Sequence, residues 1–231
     1  MATLYIIATP IGHLEDITYR AVRILEELDA LACEDTRVTK RIYQKYNLRS
    51  PEIIFSYHEH NEPKACQRII SLLEAGKNVG ICSDAGYPGI SDPGYTAITQ
   101  ALAKGHPVEI IPGPSAVLTA LVVSGLPMSS YLFKGFPPRK EGKRKHFLEM
   151  EKDLPHTIIL FESKYRVKAL LESALEVYGN RRCAVCVELT KKFETIYRGS
   201  LQEVKEQMQE ADLRGEITVV IAGNNPKLVS V

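Results

Sequence analysis

The sequence predicts an α/β protein with mostly parallel strands. Two observations carry that expectation. Short β-rich runs alternate with amphipathic helical stretches along the whole chain. Turns bearing glycine and proline follow several of the strand-like runs, as they do where strands hand over to helices. A third observation, the restart of the pattern at Tyr131, predicts two halves, 1–125 and 126–231, divided where Gly125 to Ser130 interrupt the apolar periodicity.

In the first half, Leu4 to Thr9 reads as a buried strand. Ile17, Ala21, Ile24, Leu25 and Leu28 then fall on one stripe of a helix. Ala30 to Glu34 is the next strand, Thr36 to Tyr46 a helix, and Ile53 to Tyr57 a strand. Asn61 is placed to cap a helix with Pro63 in its first turn, ended by Gly76. Val79 to Ser83 is a strand, Tyr95 to Lys104 a helix closed by Gly105, and Val108 to Ile111 a strand. The helix after Ser115 ends near Gly125.

In the second half, Tyr131 to Lys134 is a strand, followed by a charged stretch and the strand Thr157 to Phe161. Val167, Leu170, Leu171, Ala174, Leu175 and Tyr178 share a helical face. Arg182 to Leu189 and Glu194 to Ser200 read as a hairpin, and Ser200 with Glu203 forms a capping box opening a helix. Ile217 to Ala222 is the last strand.

Composition narrows the functional classes. A hydrophobic fraction of 45% and a charged fraction of 25% suit a globular chain with a substantial core. The longest apolar neighbourhood, Ala116 to Val123, is far shorter than the ~20 residues of a membrane span, so no membrane partner is expected. The 29 basic and 28 acidic side chains nearly cancel, so a case for a nucleic-acid partner has to be local. Met1 leads into a strand without a basic leader segment, which points to the cytoplasm. The 5 cysteines, an odd number, then read as reduced thiols.

No Gly-x-Gly-x-x-Gly follows the first strand and no P-loop is present, which argues against a standard dinucleotide or nucleoside-triphosphate site. Instead three punctuated turns stand at strand ends: Thr9 to Gly12, Ser83 to Gly94, and Pro112 to Ala116. Open α/β sheets bind ligands at that edge. The middle turn carries more glycine and proline than a connection needs; its glycines allow backbone to approach a ligand, and Asp84 can accept hydrogen bonds from a ribose or amino group. Ser115 before Ala116 gives a helix start suited to a carboxylate or phosphate, or simply a cap.

Glu34-Asp35-Thr36-Arg37 sets two carboxylates beside a guanidinium at another strand end; first-turn acids favouring the helix dipole are the alternative. His58-Glu59-His60 lacks the third ligand and supporting shell of a catalytic metal site, so no metal is expected. Cys183 and Cys186 lie in a strand, where a separation of three turns the thiols to opposite faces and implies core packing. Arg139, Lys140, Lys143, Arg144 and Lys145 form a cationic run that is either a solvated face or a phosphate-gripping arm.

Thr-Pro-Ile-Gly-His-Leu-Glu-Asp from Thr9, Glu-Asp-Thr-Arg from Glu34, the Ser83 to Gly94 segment, Pro-Gly-Pro-Ser-Ala from Pro112 and Gly-Phe-Pro-Pro-Arg from Gly135 resemble the small-subunit ribosomal RNA methyltransferase I family. His13 stands where that family commonly has Asn. The resemblance implies the tetrapyrrole methylase fold, with two α/β/α halves and S-adenosylmethionine in the cleft between them, commonly as a homodimer. It implies methyl transfer to a cytidine ribose 2'-hydroxyl in the decoding centre of 16S rRNA, as naked RNA or in the small ribosomal subunit. By the same resemblance Pro10, Asp84, Ala85, Gly86, Tyr87, Ile90, Ser115 and Ala116 line the cofactor from the first half, and Phe161, Leu189, Thr190 and the Ile217 to Ala222 strand from the second.

An in-line displacement at a sulfonium asks chiefly for alignment, and a ribose hydroxyl benefits from a base within hydrogen-bond reach. Glu34 and Asp35 are the candidates for base or orienter, Arg37 for gripping a neighbouring phosphate, and Lys191 is a weaker candidate base. A small-molecule methylase of the same fold and a non-catalytic RNA-binding assembly factor are the alternatives. The cationic run and the Glu34 to Arg37 motif argue against the first.

Overall fold

Residues 2–225 are described by the computed structural model. Leu4–Ile7 (β1), Ala30–Cys33 (β2), Ile53–Ser56 (β3), Val79–Cys82 (β4) and Val108–Ile111 (β5) form one sheet in the order β3-β2-β4-β1-β5. Every pairing in it is parallel. All residues of β2 and β4 are buried, as a parallel sheet covered on both faces requires.

Four helices supply the cover: Tyr19–Glu27 (α1), Thr36–Lys45 (α2), Glu62–Glu74 (α3) and Tyr95–Ala103 (α4). Ile7, Leu31 and Cys33 point to one face and pack with Ile24 and Leu25 of α1 and Ile42 of α2. Ile6, Ala32 and Ile81 point to the other and pack with Ile69 and Leu73 of α3 and Ala97 of α4. Alternation along each strand thus assigns α1 and α2 to one layer and α3 and α4 to the second. The connection leaving β1 leads to β2 on one side, while that leaving its neighbour β4 leads to β5 on the other. Adjacent strands whose connections diverge in this way create a crevice at their carboxyl ends.

The second sheet is built from Tyr131–Phe133 (β6), Thr157–Ser163 (β7), Arg182–Val187 (β8), Thr195–Ser200 (β9) and Glu216–Ile221 (β10), in the order β6-β7-β10-β8-β9. Here the expectation of mostly parallel strands fails. Only β6 and β7 are parallel; β10 runs antiparallel to both β7 and β8, and β8 pairs antiparallel with β9. The short connection from β8 to β9 permits a hairpin, whereas a parallel pair needs a long crossover. Ala116–Ser124 (α5) packs on β8 and β10. Glu141–Glu149 (α6), Val167–Tyr178 (α7) and Leu201–Gln207 (α8) contribute Leu148, Leu171 and Val204 to the core over Leu160, Val185 and Val219.

The chain divides into units Met1–Ser115 and Ala116–Val231, earlier than the expected 125/126 boundary, because α5 packs on the second sheet. The charged stretch after β6, to which the sequence assigns no element, contains the helix α6. Ser200 and Glu203 form the capping box. Asn61 precedes α3 but does not cap it by side chain: its amide accepts from the His58 N–H at 2.9 Å and donates to the Ser56 carbonyl at 2.9 Å. All five cysteines are free and buried. Cys183 joins the core beneath α6 to α8, and burial pushes both the Cys183 and Cys186 thiols up to about 12. Among the described residues no helix is long and apolar enough to cross a membrane.

Candidate active site

The carboxyl edge of the first sheet gathers the punctuated turns. Beyond β1, Thr9 pairs with Gly86: the Thr9 N–H donates to the Gly86 carbonyl at 2.9 Å and the Gly86 N–H to the Thr9 carbonyl at 3.1 Å. The Thr9 hydroxyl donates to the Ser83 carbonyl at 3.1 Å. Ser83 in turn donates to the carbonyls of Ala85 and Gly86, both at 3.3 Å. The turn after β4 is therefore fastened to the turn after β1 by main chain and hydroxyls together.

The turn after β5 joins them through Tyr87, whose hydroxyl accepts from the Gly113 N–H at 3.1 Å. Gly113 lies so close to Ala8 that an added Cβ would sit 3.1 Å from the Ala8 Cβ. Gly86 has φ +76°, a left-handed conformation that glycine adopts without steric cost. A Cβ on Gly94 would meet the Gly89 nitrogen at 2.8 Å, so the far end of the same turn also requires glycine. Pro10 is buried, Asp84, Ala85, Tyr87 and Ser115 are half-buried, and Ile90 is exposed. Ser115 immediately precedes α5, of which Ala116 is the first residue.

The ends of β2 and β4, neighbours in the sheet, are laced reciprocally. Asp84 Oδ1 accepts from the Asp35 N–H at 2.9 Å, and Glu34 Oε2 accepts from the Asp84 N–H at 3.2 Å. Asp35 caps α2 by accepting from the Arg37 N–H at 2.8 Å. The Arg37 guanidinium grips the same carboxylate, Nη2 to Oδ2 at 2.6 Å and Nε to Oδ1 at 3.0 Å. The Arg37 bond lowers the Asp35 pKa to about 2. A carboxylate held by a guanidinium in this way is a weak proton acceptor, which favours the orienting role of the two expected of Asp35. Arg37 keeps an 88% exposed side chain while Asp35 fixes its direction.

In the second unit, Phe161 lies in β7 opposite Thr218 of β10 and packs edge-on against Phe133 at 4.8 Å. Leu189 is buried just beyond β8, and Thr190 follows at φ 62° with its N–H donating to Glu194 at 2.6 Å. Since β7 and β8 both flank β10, the structure brings Phe161, Leu189 and Thr190 to one end of this sheet.

Lys191 is corrected as a candidate base. Its ammonium donates to Glu188 and Glu216, both at 2.9 Å. Burial alone would lower its pKa, but the two carboxylates outweigh burial and raise it, so the lysine is held protonated.

The cationic run divides by helical face. Arg139, Lys140 and Lys143 are exposed. Arg144 is only 7% exposed, and its guanidinium donates to the Ser173 hydroxyl at 2.9 Å and the Arg139 carbonyl at 3.1 Å. Lys145 pairs with Glu141 at 2.7 Å and Glu176 at 2.5 Å. Arg144 and Lys145 therefore bind α6 to α7 instead of reaching for phosphate. Sequence reasoning missed Thr9, Ser83 and the Tyr87 hydroxyl as the fasteners of the turns; hydroxyl side chains at strand ends next to glycine-rich segments were the available signal.

With this geometry in place, comparisons identify similar proteins. The family model of the Tetrapyrrole (Corrin/Porphyrin) Methylases matches residues 3–205. The ribosomal RNA small subunit methyltransferase I of Halalkalibacterium halodurans is 43% identical, covering 98% of this chain and 78% of that protein. The Thermotoga maritima protein of the same name is 41% identical, covering 96% of this chain and 99% of that protein. A solved uroporphyrin-III C-methyltransferase from Thermus thermophilus, complexed with S-adenyl homocysteine, superposes with a TM-score of 0.64 at 18% identity, covering 96% of this chain and 97% of that one.

Proposed function

The chain belongs to the tetrapyrrole methylase family that includes the ribosomal RNA small subunit methyltransferases I, and from that premise we propose that it transfers a methyl group from S-adenosylmethionine to the 2'-oxygen of a cytidine ribose in 16S rRNA. The observation that carries the proposal is the joining of three turns, after β1, β4 and β5, at the carboxyl edge of the parallel sheet. Glycines there allow a nucleoside-like cofactor to approach the main chain, with the half-buried Asp84 carboxylate beside it to accept a hydrogen bond.

The reaction forms a C–O bond to the ribose oxygen and breaks the S–CH3 bond, whose electron pair returns to sulfur and yields S-adenosylhomocysteine. The hydroxyl proton departs to a carboxylate or to water. Glu34 is the base candidate retained, because the Asp84 N–H positions one of its oxygens and, among the described residues, no ion pair with a guanidinium holds it. Arg37, aimed by Asp35, supplies a fork for a phosphate next to the target ribose. Alignment of sulfur, methyl and oxygen provides most of the acceleration.

Calorimetry with S-adenosylmethionine, followed by transfer assays on 16S rRNA, small subunits and porphyrinoid acceptors, tests the proposal. Cofactor binding with transfer to RNA alone is expected. Transfer to a small acceptor alone would make it a small-molecule methylase, and failure to bind the cofactor would leave a non-catalytic RNA-binding role.

A further inference from the structure

We propose that the end of the second sheet carrying Tyr165 and Phe193 is a stacking platform for unpaired bases of a single-stranded RNA segment; the proposal rests on RNA being the substrate. Both rings are large and apolar and both stand in solvent, Tyr165 with 84% and Phe193 with 61% of its surface exposed. Neither belongs to a core cluster, so packing does not account for them. Each has a lysine at its side, the Lys164 ammonium 5.0 Å from the Tyr165 centroid and the Lys192 ammonium 5.6 Å from the Phe193 centroid.

Topology sets the two pairs side by side. Lys164 and Tyr165 directly follow β7, and Lys192 and Phe193 lie in the connection from β8 to β9. Ser163 of β7 stands opposite Glu216, and Val187 of β8 opposite Ile217, so the two connections emerge on either side of the start of β10. Two strand spacings separate them, roughly 10 Å. A third ring, Phe136, is exposed just beyond β6, which runs parallel to β7 and ends at the same side.

The charges fit a polyanion with unstacked bases. Most of the nearby acids are engaged locally: Glu162 with Arg166, Glu188 and Glu216 with Lys191, Asp212 with Arg214, and Glu194 with the Thr190 N–H. Lys164, which also feels the Asp212 carboxylate, and Lys192 stand 5.0 and 5.6 Å from the ring centroids, where a phosphate linking two stacked bases would pass. Rings bordered by cations recognise single strands without reading sequence, because every base presents a π face and the backbone presents its charge. A duplex, whose bases are already stacked, gains nothing from such a surface.

The chain contains no tryptophan, so Tyr165→Trp and Phe193→Trp each introduce a single tryptophan, excited selectively beyond the absorption of the tyrosines. Titration with a short unstructured RNA oligonucleotide should quench either one, and a duplex of the same sequence should not. Tyr165→Leu and Phe193→Leu should each weaken single-strand binding roughly 5- to 100-fold without changing its salt slope, and Tyr165→Phe should retain affinity. Lys164→Gln and Lys192→Gln should each reduce the slope by about 0.7. Unquenched tryptophans together with leucine variants of full affinity would overturn the platform, as would self-association altered by these variants while RNA affinity stays constant. Circular dichroism verifies folding in each case. A wild-type protein that binds the oligonucleotide but transfers no methyl group refutes the methylation proposal alone, whereas RNA methylation with unchanged KM in the leucine variants refutes the platform alone.

Discussion

Replacing Arg144 and, separately, its neighbour Lys143 by Ala separates a buried structural cation from a solvent-facing one within one helix. Arg144 makes two charge-assisted hydrogen bonds, to Ser173 and to the Arg139 carbonyl. Bonds of this kind contribute about 1.5–3 kcal/mol each. The loss on truncation is smaller than their sum, because Ser173 retains its bond to the Ala169 carbonyl and Arg139 is exposed, which lets water reach its carbonyl. A net cost of about 2–3 kcal/mol follows, which lowers the melting temperature by roughly 5–10 °C for a chain of this size. Lys143→Ala should leave melting unchanged and reduce the salt slope of RNA binding by about 1. Thermal denaturation by circular dichroism and RNA binding over a salt series read the two effects. An Arg144→Ala protein of wild-type stability with impaired RNA binding would refute the division of the run by helical face.

Further outcomes follow from the first unit. Gly86→Ala forces a Cβ into a left-handed conformation at the Thr9 pairing, so it should cost about 1–2 kcal/mol in denaturant unfolding and weaken S-adenosylmethionine binding in calorimetry. Glu34→Gln keeps an oxygen for the Asp84 N–H but removes the base, so single-turnover transfer should fall by about 100-fold or more with cofactor affinity unchanged; a loss under tenfold would mark Glu34 as an orienting group. Asp35 has a folded pKa of about 2, below its usual 3.8, so its contribution to stability is present above pH 3.8 and is lost as the pH falls toward 2. Asp35→Asn should therefore flatten the fall in melting temperature across that window relative to wild type, and should leave the acid limb of the pH-rate profile in place. Lys191→Met leaves Glu188 and Glu216 facing each other without their cation, so amide exchange at the Glu188 and Glu216 N–H groups should accelerate.

Much of the fold was legible because apolar spacing and capping are local. The stripe through Ala21, Ile24 and Leu25 becomes the buried face of α1, and Ser200 with Glu203 forms the expected box. Strand direction was less legible, since β10 enters between β7 and β8 from a distant part of the sequence and no local pattern encodes that insertion. The cationic run misled because charge was counted without regard to helical phase: Arg144 and Leu148, four residues apart, share the inward face of α6. In the candidate site, glycine and proline marked the turns that come together. The partners of individual polar groups were not legible, because Asp35 reaches Asp84 and Lys191 reaches Glu216 only after the sheets assemble.

Methyl transfer to a ribose of small-subunit RNA is decided by locating the transferred group. Purified protein, methyl-labelled S-adenosylmethionine and unmodified small subunits are incubated, and the 16S rRNA is hydrolysed with alkali, which cannot cleave beside a 2'-O-methyl ribose. Label is expected in a single alkali-resistant dinucleotide whose 5' residue is cytidine. Label on a base, on a small-molecule acceptor in preference to RNA, or in no product at all would contradict ribose methylation.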